Sequence, residues 1–355
     1  MTLRDKRQNE FAQKWLKSKF GILNLCPRFG KIYTTINILE TYPDNISVLI
    51  AYPEVSIKKS WQEDFKKRKY NNKNIVYTTH KSLNKHENKT FDIVVIDEIH
   101  LLSEAQIETC KTLFMLNRTV IGLTGTLSEK TETNLYYELG IRTIAYYSLK
   151  QAIEEDVVSD YQITVITVKL DNKVKGMFKK PERTEYTQFR SLSWVIDNLQ
   201  QGSMFLRLAR LKIIKNSISK RNKTIELLKE LKDERVLVFC GTIKIAESLG
   251  IPCYHSKSKD KTILEKFASG EGKQMAVINI GGAGVTYKPL NKVILSYFDS
   301  NSETLTQRVL RSMSMEYDNI DKKAHVYIIT TNQKVENNWL NKALALFDKS
   351  KIKYM

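Results

Sequence analysis

Two stretches of the chain hold residue types that can do chemistry. VVIDEIH, residues 94–100, sets the carboxylates of Asp97 and Glu98 side by side at the end of an apolar run. One carboxylate could hold Mg2+, directly or through water, and the other could orient and deprotonate an attacking water. LCPRFGKIYTT, residues 25–35, places Gly30 and Lys31 between an apolar strand and a helix. Backbone amides at a helix N-terminus, together with a lysine ammonium, make an anion site suited to phosphate. A third stretch, GLTGT at residues 122–126, sets the hydroxyls of Thr124 and Thr126 around a glycine. A Gly-Lys pair or a Thr-Gly-Thr turn alone is ordinary; the order loop, carboxylate pair, turn gives them weight. One part of the phosphate loop is missing. The position after the lysine, where a hydroxyl would ligand Mg2+, is Ile32.

These residues need elements to position them. FAQKWLKSKF reads as an amphipathic helix, GILNLC as a short strand, and GKIYTTINILETY as a helix. ISVLIAYP, NIVYTT, FDIVVIDE and TVIGLTGT follow as short β-branched runs, several of them separated by helical stretches. That alternation predicts a parallel sheet with crossover helices, whose ligands bind beyond the carboxyl ends of the strands. Lys31, Asp97, Glu98, Thr124 and Thr126 all fall at such ends. Ile32, Ile36 and Leu39 lie at i, i+4 and i+7, so Ile32 is expected to pack on the sheet. Water held by Asp97 would then take the hydroxyl's place around Mg2+. Thr34 and Thr35 lie on other faces of the helix and are poor substitutes.

The chain has 355 residues, 42% hydrophobic and 27% charged, enough for two folded domains rather than a disordered protein. A formal net charge of +18 suggests a polyanionic partner. Cys26, Cys110, Cys240 and Cys253 form no CxxC pair, so neither a zinc site nor a disulfide framework is indicated. No apolar run is long enough to span a membrane and no signal core opens the sequence, so a cytoplasmic location is expected. Trp61 and Trp339 read as packing residues by their helical spacing, with base stacking the alternative, and His255 as either part of a nucleic-acid loop or a satisfied surface histidine. No Ser–His–Asp constellation offers a rival chemistry.

With these residues in view, the chain resembles the superfamily-two (DEAD/DEAH-like) helicases and translocases over most of its length. LRDKRQ, ending in Gln8, is similar to the adenine-recognition segment, and CPRFGK to motif I. LIAYPEVSIKKSW and YTTHKSL resemble motifs Ia and Ib, DEIH the Walker B box, and TGT motif III. ERVLVFCGTIKIAESLG resembles motif IV, the run through GGAGVTYKPLNKVILSYF motif V, and QRVLRS at residues 307–312 motif VI. QKVENNWLNKAL is similar to the tail of compact phage-encoded and Swi/Snf-like members. The resemblance implies an α/β protein of two RecA-like domains, parallel sheets flanked by helices, with ATP and Mg2+ in the cleft between them. It implies that Arg28, Phe29, Gly30, Lys31 and Ile32 surround the phosphates and that Asp97 holds Mg2+. Glu98 would activate water, and Arg311, with Gln307, would stabilise charge from the second domain while Arg308 supports that geometry. His100, Thr124 and Thr126 would couple the site to nucleic acid. The departures are Ile32, Arg28 in place of a glycine (expected to send the loop along another path), Leu310 in place of a glycine, and Ser314 where a last arginine should stand. An arginine finger is worth roughly 10³–10⁵ in rate.

The first domain is expected to cover residues 1–145 and the second 146–355, with a basic, partly helical excursion at about 172–234. By position, nucleic-acid contacts fall to Pro53, Lys58 and Lys59, to Thr79 and Lys81, to Thr242, and to Gly284 and Thr286. Lys175, Lys179, Lys180, Arg183 and Arg190 are further phosphate candidates, each also readable as a solvated surface charge, and Arg207 and Arg210 share a helix face from which they could reach either DNA or a carboxylate. Such contacts go mainly to the sugar-phosphate backbone. The reading is a nucleic-acid-dependent ATP hydrolase acting as a DNA helicase or translocase, with RNA left open. It is expected to be a monomer, to accept an arginine from a protein partner if one is needed, and to work in the host cytoplasm if virus-encoded. Two alternatives stand beside it: a degenerate member that binds nucleic acid with little or no turnover, and a double-stranded DNA translocase that does not separate strands.

Overall fold

The computed structural model describes the chain except for residues 1, 73, 176–180, 199–203, 259, 261, 279–286, 288–289, 301, 311–322, 332 and 346, and the side chains at 56, 302–304 and 307. It divides into two compact units, Met1–Val158 and Ser159–Met355.

The first unit begins with α1 (Leu3–Ser18), started by a capping box between Thr2 and Asp5. Then come β1 (Phe20–Leu25), α2 (Lys31–Leu39), β2 (Val48–Tyr52), α3 (Ser56–Arg68), β3 (Ile75–Thr79), β4 (Ile93–Asp97) and α4 (Glu104–Leu116). β5 (Val120–Thr124), α5 (Glu129–Leu139), β6 (Thr143–Tyr147) and α6 (Leu149–Glu154) complete it. The six strands are parallel, in the order β3-β2-β4-β5-β1-β6. Every residue of β2, β4 and β5 is buried. That is why these segments read as unbroken apolar runs: with both faces covered, no position needs to be polar. The order brings β4, β5 and β1 side by side, so the carboxylate pair, the Thr-Gly-Thr turn and the phosphate loop emerge from adjacent strand ends.

The expected boundary at 145 falls inside β6. That strand pairs with β1 as far as Leu25↔Tyr147, and Tyr147 packs against Phe29 with ring centroids 4.9 Å apart. Beyond it, Glu155 receives Arg7 Nε at 2.9 Å and the Tyr147 hydroxyl at 2.8 Å, which ties the segment after β6 back to α1.

The second unit begins with β7 (Tyr161–Thr167), followed by a two-residue hairpin pair, β8 (Lys173–Val174) and β9 (Arg183–Thr184). Three helices come next: α7 (Glu185–Asn198), α8 (Met204–Lys215) and α9 (Ile218–Glu230). β10 (Val236–Phe239), α10 (Ile243–Glu247), β11 (Cys253–Tyr254), α11 (Thr262–Ser269), β12 (Gln274–Val277) and β13 (Lys292–Leu295) precede α12 (Ser302–Val309). β14 (Ala324–Thr330), α13 (Lys334–Leu344) and β15 (Ile352–Tyr354) close the unit. Its seven-stranded parallel sheet has the order β11-β12-β10-β13-β14-β7-β15. The helical excursion ends earlier than expected. α9 is a sheet-covering helix, with Leu227 and Leu228 in the core beside Val236 and Ile294. Lys220 of α9 forms a buried ion pair with Glu336 of α13, and Glu336 also accepts the Thr331 amide at 3.0 Å. Among the described residues, no helix is long and apolar enough to cross a membrane.

Candidate active site

The phosphate-loop glycine caps α2 in a left-handed conformation, φ +99. A Cβ at Gly30 would lie 2.6 Å from Gln8 Nε2, because Gln8 is buried and donates that amide to the Phe29 carbonyl at 3.0 Å. The segment likened to an adenine reader thus also braces the loop. Arg28 does not avoid the glycine-type turn: its φ is +70. A residue with a Cβ therefore holds a conformation that costs roughly 1–3 kcal/mol outside glycine. Ile36 and Leu39 are fully buried as the stripe predicts, but Ile32 is only half-buried. Thr34 and Thr35 return their hydroxyls to the helix, at 3.4 Å to the Gly30 carbonyl and 3.1 Å to that of Lys31. Neither supplies the missing ligand.

Lys31 opens α2, and its Nζ lies 2.5 Å from Glu98 Oε1. Burial opposes charge on the lysine, but Glu98 and Asp97 outweigh it and raise its pKa. Burial likewise works against Glu98, yet the Lys31 charge and His100 hold it below the usual carboxylate range. Asp97 goes the other way: burial and the adjacent Glu98 charge push it up to about 6, against Lys31. Two neighbouring carboxylates are thus set apart, with Glu98 the one held ionised. Glu98 reaches this place through a left-handed backbone turn, φ +51, directly after the strand.

His100 is buried by its side chain and joins the third stretch. Its Nδ1 lies 2.8 Å from Thr124 Oγ1 and 3.5 Å from Glu98 Oε2, and its Nε2 lies 3.5 Å from Thr126 Oγ1. A Cβ on Gly125 would sit 3.0 Å from the Leu25 carbonyl and 3.1 Å from Pro27, so this turn packs directly on the base of the phosphate loop. Two further contacts on Asp97 have no counterpart among the site residues singled out in the sequence. Trp61 is fully buried, as expected of a packing residue, but its Nε1 donates to Asp97 Oδ2 at 3.0 Å. His80 Nε2 lies 2.9 Å from the Asp97 main-chain oxygen. The one available signal was that both sit in the segments likened to motifs Ia and Ib.

Among the described residues no group of three His, Cys, Asp or Glu side chains could hold a metal. Asp97 offers one hard oxygen donor beside a lysine, which fits Mg2+ carried in on a nucleotide and completed by phosphate and water rather than a resident ion.

Of the candidate nucleic-acid residues in this unit, Pro53 and Thr79 follow or end the neighbouring strands β2 and β3, where Tyr52 pairs with Thr79. Lys81 is exposed, Lys59 is exposed near Glu63, and Lys58 Nζ lies over the Tyr77 ring at 5.4 Å. In the second unit Thr242 caps α10 and donates to Asn216 Oδ1 at 2.9 Å, so its hydroxyl is already engaged. Arg308 is buried over the Phe239 ring, with Nη1 3.5 Å from the Tyr297 carbonyl. Lys175, Arg183, Arg190 and Arg207 are exposed, whereas Arg210 packs on Phe189 and reaches Ser193 at 3.3 Å. Gly284, Thr286, Arg311, Ser314, Lys179 and Lys180 and the side chain of Gln307 lie outside the described residues.

Two parallel sheets flanked by helices, with a lysine loop, a carboxylate pair and a threonine turn on adjacent strand ends of the first, define an α/β fold with a phosphate-loop type of site. Residues 32–129 match the family model described as type III restriction enzyme, res subunit, and residues 219–316 match helicase conserved C-terminal domain. The chain is 25% identical to the DNA 3'-5' translocase XPB2 of Sulfurisphaera tokodaii, over 91% of this chain and 80% of that one. Its fold is similar to the Hef helicase domain of Pyrococcus furiosus, with TM-score 0.54, 14% identity, and coverage of 96% and 99%. It is also similar to S. cerevisiae Dbp5 bound to RNA and ADP BeF3, with TM-score 0.60, 12% identity, and coverage of 95% and 85%. The chain is a superfamily-two helicase-like protein with two RecA-like domains.

Proposed function

We propose that the protein is a DNA-dependent ATPase that moves along DNA. The observation that carries this reading is the Lys31–Glu98–His100–Thr124 chain of contacts at the ends of three adjacent strands. Lys31 would exchange Glu98 for phosphate oxygens. Glu98, released but still held ionised, would then accept a proton from water, a role worth roughly 10²–10⁴-fold. Asp97 would hold the nucleotide's Mg2+, which supplies charge stabilisation at the phosphoryl oxygens. Arg311 would add positive charge from the second domain, and Arg308, buried against Phe239 and Tyr297, would hold α12 on its sheet. The 3'-5' translocase relative supports DNA as the track and that direction of travel.

Ile32 favours the second reading, a nucleic-acid binder without turnover, because it removes a metal ligand that the helix threonines do not replace. The test is ATP hydrolysis with and without single-stranded and duplex DNA and RNA, beside Glu98→Gln and Ile32→Thr. Turnover raised by DNA and reduced at least about a hundredfold in Glu98→Gln is expected. No turnover under any condition would sink the motor, and rescue by Ile32→Thr would name the reason. A forked-duplex assay separates strand separation from travel on intact duplex.

A further inference from the structure

Two side chains from different elements converge on Asp97, each in a place with a second meaning. Trp61 donates its indole N–H to the carboxylate, 3.0 Å to Oδ2. The chain's other fully buried tryptophan, Trp15, gives the same group to a main-chain carbonyl, Val120, as a packing residue ordinarily does. His80 lies 2.9 Å from the main-chain oxygen of the same aspartate. That acceptor requires the proton on Nε2. Asp97 is therefore gripped at both side chain and backbone, apart from anything Glu98, His100 or Thr124 does.

The grips originate in the exposed basic segments. Lys58 precedes Trp61 by three residues on α3, so the two lie on one side of that helix. Thr79 and Lys81 flank His80 directly, at the end of the strand that pairs with β2. A strand of nucleic acid drawn to these lysines would press on the two elements that hold Asp97.

We infer that Trp61 and His80 are positioning residues that pass nucleic-acid binding at residues 53–59 and 79–81 to Asp97, and so set the affinity for the Mg2+-bound nucleotide. The inference rests on the proposed function and adds a second route beside His100, Thr124 and Thr126. Coupling between two ligands is reciprocal, so it can be read from either side.

The experiment uses the full chain. The affinity for a labelled single-stranded DNA oligonucleotide is measured with and without a non-hydrolysable ATP analogue and Mg2+, and the ratio is the coupling. Wild type is expected to show a ratio of about ten, within the range typical of such coupling. Trp61→Phe and His80→Leu are expected to bring it towards one, while His80→Gln, whose amide keeps an N–H donor, retains it. Active-site titration of each variant removes any contribution from misfolded protein. A second readout needs neither metal nor nucleotide: DNA alone should change the emission of Trp61, read as the difference between wild type and Trp61→Phe. A coupling ratio unchanged in both Trp61→Phe and His80→Leu overturns the inference, as does a wild-type ratio of one when both ligands bind. Failure of wild type to bind either ligand is a different result; it removes the proposed function itself and the inference with it.

Discussion

Gly30 is constrained twice over, by its φ of +99 and by Gln8 Nε2 2.6 Å from where a Cβ would fall. Gly30→Ala should therefore destabilise the first unit by about 1–3 kcal/mol in denaturant unfolding and weaken nucleotide binding. Adding Gln8→Ala removes the collision and should restore only part of the loss, since the backbone strain stays. The lysine and the carboxylate pair could be read directly from the sequence, because their chemistry is local and their order along the chain is informative. The grips of Trp61 and His80 on Asp97 could not, because each joins residues that meet only after β2, β3 and β4 are side by side. Arg28 is similar: it holds a left-handed backbone, φ +70, which the side-chain type gives no reason to expect. His325 supplies a pH prediction. Burial and then Lys292, Lys353 and Lys323 depress it from 6.5 to about 4. The unfolded chain therefore takes up the proton first as pH falls, so stability is full above about pH 6.5 and declines towards pH 4. Unfolding of the second unit, followed between pH 7 and pH 5, should show that slope, and His325→Gln should flatten it.

At the scale of elements, β1 is legible as a short apolar strand and β2 to β5 as β-branched runs ending in polar or small residues, whereas β6 is not. Its TIAYY has a half-exposed burial pattern, as suits a sheet edge, and gives no continuous apolar signal. Its importance lies in pairing with β1 and in Tyr147, whose ring meets Phe11 and Phe29 at 5.5 and 4.9 Å beneath the phosphate loop. A fragment of residues 1–158 should unfold cooperatively by circular dichroism and denaturant. A fragment of residues 1–145 loses Tyr147 and the Arg7–Glu155 tie, and should show a broadened transition or none. Equal cooperativity in both would mean that β6 is dispensable to the unit. The end of the helical excursion is hidden in the sequence for a similar reason: α9 resembles α8, since both are basic helices with apolar residues at helical spacing. Only packing of Leu227 and Leu228 on the sheet core tells it apart.

At the scale of the whole molecule, the net charge of +18 predicts, on the proposed function, an affinity for DNA that falls with salt. Each neutralised phosphate of duplex DNA adds about 0.9 to the slope of log affinity against log salt. Lys58→Ala and Lys81→Ala should each weaken binding similarly across sequences and lower that slope by about one. A variant that weakens binding with the slope unchanged would assign that lysine to folding or to another partner.

The place of β7 bears on how the chain is made. It is the first strand of the second sheet to leave the ribosome, yet it lies between β14 and β15, which begin only at Ala324 and Ile352. The first sheet, by contrast, has all six strands once Tyr147 has emerged. During synthesis the apolar side chains of Tyr161, Ile163 and Val165 therefore wait without their sheet neighbours while nearly the whole second unit is translated, open in that interval to chaperones or wrong partners.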